Sequence, residues 1–461
     1  MINRIPGSFR DPSGFLFKRD GVLYRQINNC YREDYQALMN SGLYQKLVDR
    51  HYLVPHQEVP LNNIDDNSQA YRIIKPETVQ TISYPYEWSF SQLKDAALLT
   101  LDIQRLAMNK NMSLKDASAY NIQFHRGKPV FIDTLSFEQF RENEPWVAYR
   151  QFCQHFLAPL ALMAKTDISL AELLRNHIDG IPLQLASKLL PFHTRLQLSL
   201  GLHIHLHARS QKRNAGIAVT GKTAEKKFTH RSFLALIDHL ASAIKSLNWT
   251  ASNTEWFDYY ENNNNYQAEA LSRKDEIVAQ FMEGLSLKTT WDLGANTGRF
   301  SKIASTCSET VCAWDIDPAC VELHYLYCKQ QQIHNILPLL MDLTNPSPAI
   351  GWHNSERMSL VERGPVDMVL ALGLVHHLAI ANNVPIDRIA CFLRDLTHYL
   401  IIEFIPKEDS QVVKLLQNRK DIFPDYEQAS FEQVFSDYFT LIIKKTIPDS
   451  KRTLYLFSKS L

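Results

Sequence analysis

The chain has 461 residues, too long for one ordinary domain and comfortable for two or three. With 45% hydrophobic and 11% aromatic residues it can bury well-packed cores. Its 49 Lys and Arg against 49 Asp and Glu exclude a global basic field for nucleic acid. Seven cysteines without a C-x-x-C pair exclude a disulfide framework and point to a reducing, cytoplasmic setting. The start, MINRIPGSFRD, lacks an apolar signal core, and the uncharged run Phe156–Ala164 is far too short to span a bilayer. No membrane partner is expected.

In chain order, Phe15–Ile27 (FLFKRDGVLYRQI) is two short strands about Asp20-Gly21, a strong hairpin signal. Tyr31–His51 reads as one amphipathic helix with Tyr35, Leu38, Met39, Leu43 and Leu47 on one face. Asn62–Gln69 reads as an exposed loop, Tyr71–Ile82 as an extended pair and Phe90–Met108 as a second long helix. Next comes Ser113–Glu138, SLKDASAYNIQFHRGKPVFIDTLSFE. There Asp116 and Asn121 lie five apart in a loop, a hairpin turns at Gly127, and Asp133 ends the strand PVFID.

These residues resemble the catalytic core of the protein-kinase-like superfamily, which implies an α+β domain. In that family an Asp polarises the acceptor hydroxyl, an Asn five residues on binds metal, and a hairpin delivers a second metal-binding Asp. By that likeness Asp116 is the catalytic acid/base position, and Asn121 and Asp133 are Mg2+ ligands for ATP. The departures are specific. LysAsp replaces the HisArgAsp lead-in, and AspThrLeu replaces AspPheGly. Instead of a glycine-rich loop there is Asp11-Pro12-Ser13-Gly14, and Arg25 stands where such kinases place a lysine. Arginine is a poor substitute for a point-charge lysine against phosphates. Lys18 is a second cation within the same hairpin, and Pro85–Trp88 reads as the hinge. A kinase-like domain, pseudokinase in character, that positions an acceptor or partner is therefore expected.

The leucine-rich stretch Leu183–Leu206 reads as a buried helix extending this domain. Inside it, His203, His205 and His207 have spacings that could bind zinc, but no Cys or acid completes a set, and packed histidines are expected. Gly216–Thr223, GIAVTGKT, matches the P-loop pattern, yet it follows the polar run Ser210–Asn214 rather than a buried strand, so a linker is expected. Glu261–Asn265 reads as another exposed loop.

The carboxyl half carries the densest signal. Trp291–Ser301, WDLGANTGRFS, is a strand ending in Asp292, a turn bracketed by Gly294 and Gly298, and a helix start. TVCAWDIDP is a second strand ending in Asp315, about twenty residues on, where a doubly wound fold places its ribose-binding acid. Ile336–Leu343 ends near Asp342, Val366–Leu378 carries Gly373 and the pair His376-His377, and His398–Phe404 carries Glu403. Repeated strand–helix units imply an open parallel sheet with its ligand crevice at the carboxyl ends of the strands.

From about Trp256 onward the chain resembles the class I S-adenosylmethionine-dependent methyltransferases. DLGANTG matches the family's first glycine motif, WDIDP its acidic second strand end, MDL its adenine segment and ALGLVHHL its fourth strand. The likeness implies S-adenosyl-L-methionine as cofactor. Gly294, Asn296 and Gly298 then line its methionine end, with Gly373 approaching from the fourth strand. Asp292 orients the ammonium, Asp315 holds the ribose and Asp342 accepts from the adenine amino group. A nicotinamide dehydrogenase would want G-x-G-x-x-G, which G-x-N-x-G is not. His376 or His377 is the expected base toward the acceptor, with Glu403 in reserve.

The architecture expected is thus α/β with three parts. Residues 1–210 form an α+β kinase-like domain with a helical extension, 211–249 a linker and bridging helix, and 250–461 a Rossmann-like, doubly wound methyltransferase sheet. The acceptor, a small molecule or a protein, is unassigned. The fourth strand lacks the (Asn/Asp)-Pro-Pro-(Tyr/Phe) run used on exocyclic amines, which favours an oxygen or small-molecule acceptor. The alternatives are a bifunctional kinase–methyltransferase and an inert docking protein.

Overall fold

The computed structural model describes residues 3–60, 69–209, 229–251, 268–417 and 420–460. The P-loop-like stretch Gly216–Thr223, the run Glu261–Asn265 and residues 62–68 lie outside them. The chain divides into two compact units: residues 1–250 with 351–357, and residues 251–350 with 358–461.

In the first unit β1 (Asn3–Arg4), β2 (Gly14–Arg19), β3 (Val22–Asn28), β4 (His56–Val59) and β5 (Ala70–Pro76) form an antiparallel sheet in the order β1-β2-β3-β5-β4. Asp20 and Gly21 turn the central hairpin with φ of 51° and 76°, the two-residue turn whose twist matches its strands. The expected single helix Tyr31–His51 is instead two, α1 (Arg32–Asn40) and α2 (Leu43–Asp49). Gly42 separates them, because its φ of 72° cannot continue a right-handed helix. Tyr71–Ile82 gives one strand rather than a pair. Pro76 ends it, lacking the N–H that another ladder bond needs.

Ser89 and Gln92 form a capping box at the start of α3 (Phe90–Met108), which is buried along its length. Two short ladders follow: β6 (Met112–Leu114) with β9 (Phe137–Gln139), and β7 (Ile122–His125) with β8 (Lys128–Phe131). The remainder is helical, including α4 (Ala158–Lys165), α5 (Leu183–Leu189) and α6 (His230–Ser246), the last packed on α3. The stretch Leu183–Leu206 is not the buried helix expected. Pro191 drives Leu190 into an extended conformation and stops α5. A 3-10 turn (Phe192–Leu196) and a wide helical turn (Gly201–Leu206) follow, leaving Leu196 and Leu198 82% and 79% exposed.

The second unit begins with α7 (Ala268–Met282). Its strands are β10 (Leu287–Leu293), β11 (Ser308–Asp315), β12 (Ile336–Leu340), β13 (Val366–Ala371), β14 (Thr397–Phe404), β15 (Phe439–Thr446) and β16 (Thr453–Lys459). They form one sheet in the order β12-β11-β10-β13-β14-β16-β15, with β10 to β14 parallel and the last hairpin antiparallel. Helices α8 (Arg299–Cys307), α9 (Pro318–Gln330) and α10 (Ile386–Leu396) connect the parallel strands. The central strands read as unbroken apolar runs because both their faces are covered: Leu400, Ile401 and Ile402 are wholly buried. β10 and β11 leave the switch point in one direction and β13 in the other, which opens the crevice at their carboxyl ends.

Trp88 is wholly buried, packs edge-on against Phe124 and donates its indole N–H to Ser83 Oγ at 2.9 Å. Trp88→Ala is expected to cost about 3–5 kcal/mol, and Trp88→Phe about 1 kcal/mol for the lost bond plus a small packing loss. Thermal unfolding of the full chain checks this; unchanged midpoints would contradict it.

Candidate functional site

β10 carries Asp292 to its carboxyl end, and the chain then turns through Gly294, Asn296 and Gly298 with φ of 80°, 50° and 83°. The Gly294 and Ala295 N–H groups donate to the Trp314 carbonyl at 2.8 and 2.9 Å, pinning the turn beside the end of β11. Gly298 is required twice over, since a Cβ there would lie 2.1 Å from the buried His324 imidazole. Helix α8 begins at the next residue, so the turn leads straight into helix N-terminal amides.

Two buried acids converge on this turn. Asp315 Oδ2 accepts from the Asn296 N–H at 2.6 Å, and Oδ1 from the Asp317 N–H at 2.9 Å. Asp292 Oδ2 accepts from Ser301 Oγ at 2.6 Å. Burial pushes Asp292 up to about 7 and Asp315 up to about 6, against the pull of these donors; Asp315 adds a smaller push on Asp292. Half-buried Asp342 follows β12, its Oδ1 accepting from Thr344 N and Oγ1 at 2.8 and 2.6 Å. An adenosyl cofactor with an ammonium group fits these residues. Raised, sparsely partnered carboxyls want a cation and hydroxyl donors, and the glycine turn leaves no side chain in the way.

Gly373, with φ of 66°, follows β13, and a Cβ there would sit 3.9 Å from Glu403 Oε2 at the end of β14. Glu403 is wholly buried and receives Lys274 Nζ of α7 at 2.7 Å. Arg452 Nη1 lies 3.9 Å away on the other side, itself paired to Asp409 through Nε at 2.7 Å and Nη2 at 3.0 Å. An ion-paired carboxylate is a poor reserve base. His376 and His377 have ring centroids 4.1 Å apart. Burial first, and then the charge of Arg452, push His377 down to about 4. His376 is pushed well below its ordinary value by burial, His377, Arg452 and Lys274. Both are neutral at physiological pH and weak as bases. Sequence reasoning missed Lys274, Arg452, Asp409 and His324. Lys274 sits in SRKDE, which reads as a solvated helix face.

In the first unit the expected kinase-like set is gathered, but around a cation. Arg25 Nη1 pairs with Asp133 Oδ1 at 2.6 Å and Nη2 with Asp11 Oδ2 at 3.1 Å. Asp133 Oδ2 accepts from Ser136 Oγ at 2.6 Å, which in turn accepts from Asn121 Nδ2 at 3.1 Å. Asp116 accepts from the Ser118 N–H at 2.9 Å and is pushed up by burial and then by Asp133. Lys115 reaches Ser13 Oγ at 2.8 Å, while Lys18 is exposed. Among the described residues no group of three or more His, Cys, Asp or Glu is placed to hold a metal ion. The histidines of GLHIHLHAR are held apart. His203 bonds Tyr149 and His239, both at 2.7 Å, and His205 bonds Ser187 and Thr194.

A glycine turn and paired acids at the switch point of a seven-stranded sheet with an antiparallel final hairpin define the second unit as a class I, Rossmann-like methyltransferase fold. The chain belongs to the family of nodulation protein NoeA: that of Rhizobium meliloti (strain 1021) is 36% identical over 464 residues, covering 99% of this chain and 96% of the relative. No protein-family model matches. Similar solved structures include the PH0226 protein of Pyrococcus horikoshii OT3, 15% identical over 45% of this chain and all of that one, TM-score 0.32. Another is N-methyltransferase NodS of Bradyrhizobium japonicum WM9 with S-adenosyl-L-homocysteine, 8% identical over 46% of this chain and 95% of that one, TM-score 0.32.

Asp292 and Asp315 hold their protons more tightly folded than unfolded, near pH 7 and 6. Their contribution to the stability of the unliganded chain is therefore lost as pH rises from the ordinary carboxyl value of 3.8 through these folded values. Binding of a ligand that brings an ammonium group and hydroxyl donors to these acids runs the other way, because ionised carboxylates hold such donors more strongly. Affinity is expected to rise from about pH 5.5 to about 7.5, by up to roughly tenfold per unit for each acid below its pKa. Asp292→Asn should flatten the upper part of that rise. Calorimetric titration across the range checks it, and a pH-independent affinity would refute it.

Proposed function

We propose that the second unit transfers a methyl group from S-adenosyl-L-methionine to an oxygen or small-molecule acceptor, and that the first is a kinase-like domain that positions the acceptor or a partner. The observation that carries the methyl-transfer reading is the Asp315 carboxylate, buried at the end of β11 and hydrogen-bonded to the glycine turn beside it. When bound, the cofactor supplies a methyl group on a sulfonium centre. The chain's own residues do the rest. Asp292 receives the ammonium, Asp315 the ribose hydroxyls and Asp342 the adenine amino group. Gly294 and Gly298 let the backbone approach the methionine end, and Gly373 leaves room at the next strand. In-line displacement depends above all on alignment. Held neutral, His376 and His377 serve that alignment by accepting a hydrogen bond from the acceptor, whose proton is lost to water as the methyl group arrives. The relative's name points to nodulation as the process served.

The kinase-like reading of the first unit rests on element order. A five-stranded antiparallel sheet carries α1 and α2 between β3 and β4, and Pro85–Trp88 and α3 follow. Two short ladders then carry Asp116, Asn121 and Asp133. Phosphoryl transfer is disfavoured because the Arg25 guanidinium neutralises Asp133, the residue that a Mg2+ ion would need.

Asp315→Ala is expected to weaken cofactor binding by roughly 2–4 kcal/mol, the scale of two charge-assisted hydrogen bonds. Calorimetry on the full chain reads this. Wild-type protein that ignores the cofactor at millimolar concentration would sink the assignment.

For the first unit, a thermal-shift titration of the full chain with ATP and Mg2+ should give no stabilisation. A large one abolished by Asp133→Asn would make the protein a bifunctional kinase–methyltransferase.

A further inference from the structure

Six large apolar side chains are left to solvent where α5 gives way to the turns that follow. Leu189, Phe192, Leu196, Leu198, Leu202 and Leu206 are between 38% and 82% exposed. The three segments that carry them are tied together from beneath, and Leu198, Leu202 and Leu206, four residues apart, share one face of successive helical turns. His205, buried, bonds Ser187 Oγ of α5 at 2.8 Å through one ring nitrogen and Thr194 Oγ1 of the 3-10 turn at 2.9 Å through the other. The Gly201 N–H donates to the Gln197 carbonyl at 2.7 Å, closing the loop that carries Leu198. The leucines are thus displayed by a hydrogen-bonded frame. Contiguous apolar exposure of this kind marks an interaction surface.

Charge narrows the partner. The exposed ionisable residues of these segments are Lys188, His193, Arg195 and Arg209, with Arg195 over the Phe192 ring, 5.1 Å from its centroid; exposed Asp167 follows Thr166, which donates to the Leu189 carbonyl at 3.3 Å. Among the described residues 180–209 the sequence holds three Lys or Arg and no Asp or Glu, where the chain's composition would place about three acids. A surface that is apolar and cationic together matches a layer that is anionic outside and apolar within. We propose that this face docks the protein on an anionic lipid surface, its leucines entering the headgroup–acyl boundary and its cations meeting lipid phosphates. No helix among the described residues is long and apolar enough to cross a membrane, so the contact is peripheral. A second copy of the chain fits less well, since pairing the face with itself would set Arg195 and Arg209 against their own kind. Nucleic acid would satisfy the cations and leave the leucines in water.

The test is co-flotation of the full chain with vesicles of phosphatidylcholine alone or mixed with phosphatidylglycerol, and calorimetric cofactor binding as a fold control. Wild-type protein should float with the mixed vesicles and not with phosphatidylcholine alone, and lose binding in high salt. Leu196→Ser with Leu198→Ser, and separately Arg195→Glu, should each cut the bound fraction about tenfold while leaving cofactor binding unchanged. These side chains lie on the outside, so the fold has no stake in them. Failure to float, or flotation indifferent to the substitutions, would overturn the proposal. So would a wild-type dimer that the Leu196→Ser/Leu198→Ser chain turns into a monomer in light scattering, which would make the face an interface between copies.

Discussion

Two consecutive residues at the end of β11 hold the candidate site together. The Trp314 carbonyl accepts from Gly294 and Ala295, the Asp315 carboxylate from Asn296 and Asp317, and the Asp315 carbonyl from Met341 at 2.8 Å. The glycine turn after β10, the start of α9 and the exit from β12 are therefore all referenced to one point. Each of these loops would otherwise be free to choose its own conformation at an entropic cost of about 1–2 kcal/mol per residue. Fixing them in the absence of ligand is what makes a pocket pre-organised. The raised pKa of Asp315 follows from the same placement: a carboxylate buried between the glycine turn and the start of α9 cannot also keep its water.

The second organising feature is the chain of buried charges Lys274, Glu403, Arg452 and Asp409. Taking such ions out of water costs several kcal/mol each, and well-packed apolar residues of the same volume often do as well or better. Stability alone is therefore a weak explanation for the network. Its position offers a better one. Lys274 and Arg452 add to the burial that keeps His376 from taking up a proton. Lys274 also sits over the Phe300 ring, 4.7 Å from its centroid, in the first turn of α8. Next to it in sequence, Asp275 accepts two-pronged from Arg299 through Nε and Nη2. Two adjacent residues of α7 thus fix that helix against the first turn of α8, one by a buried charge and one by a half-exposed one.

The parallel strands of the second unit were legible because burial on both faces writes them as apolar runs, and their carboxyl ends because each run stops at Asp292, Asp315, Gly373 or Glu403. The final hairpin was not, since β15 is an edge strand whose residues after Phe439 are exposed and whose sequence, FTLIIKKT, carries no alternation to betray it. Helix breaks hung on single residues: Gly42 split one helix and Pro191 stopped another. Roles fared worse than positions. Glu403 looks like a free base until Lys274, 129 residues away, is seen against it, and Asp133 looks like a metal ligand until Arg25 is seen beside it. Ion pairs of that sequence separation leave no local pattern to read.

The two acid clusters make opposite physical statements. Asp133 already has a full positive charge at 2.6 Å and a hydroxyl donor on its other oxygen. A cation arriving there gains only the difference between itself and Arg25, after separating a pair that is mostly shielded from water. Asp292 and Asp315 are deeper and have hydroxyl and amide donors rather than a cation in direct contact, so ionising them is costly until a ligand contributes positive charge and hydrogen-bond donors. Differential interaction of that kind is what drives selective binding. The first cluster has met its electrostatic needs within the chain, which suits a structural or docking role. The second has left them for a ligand to meet, and in this chain that is the stronger physical mark of an active site.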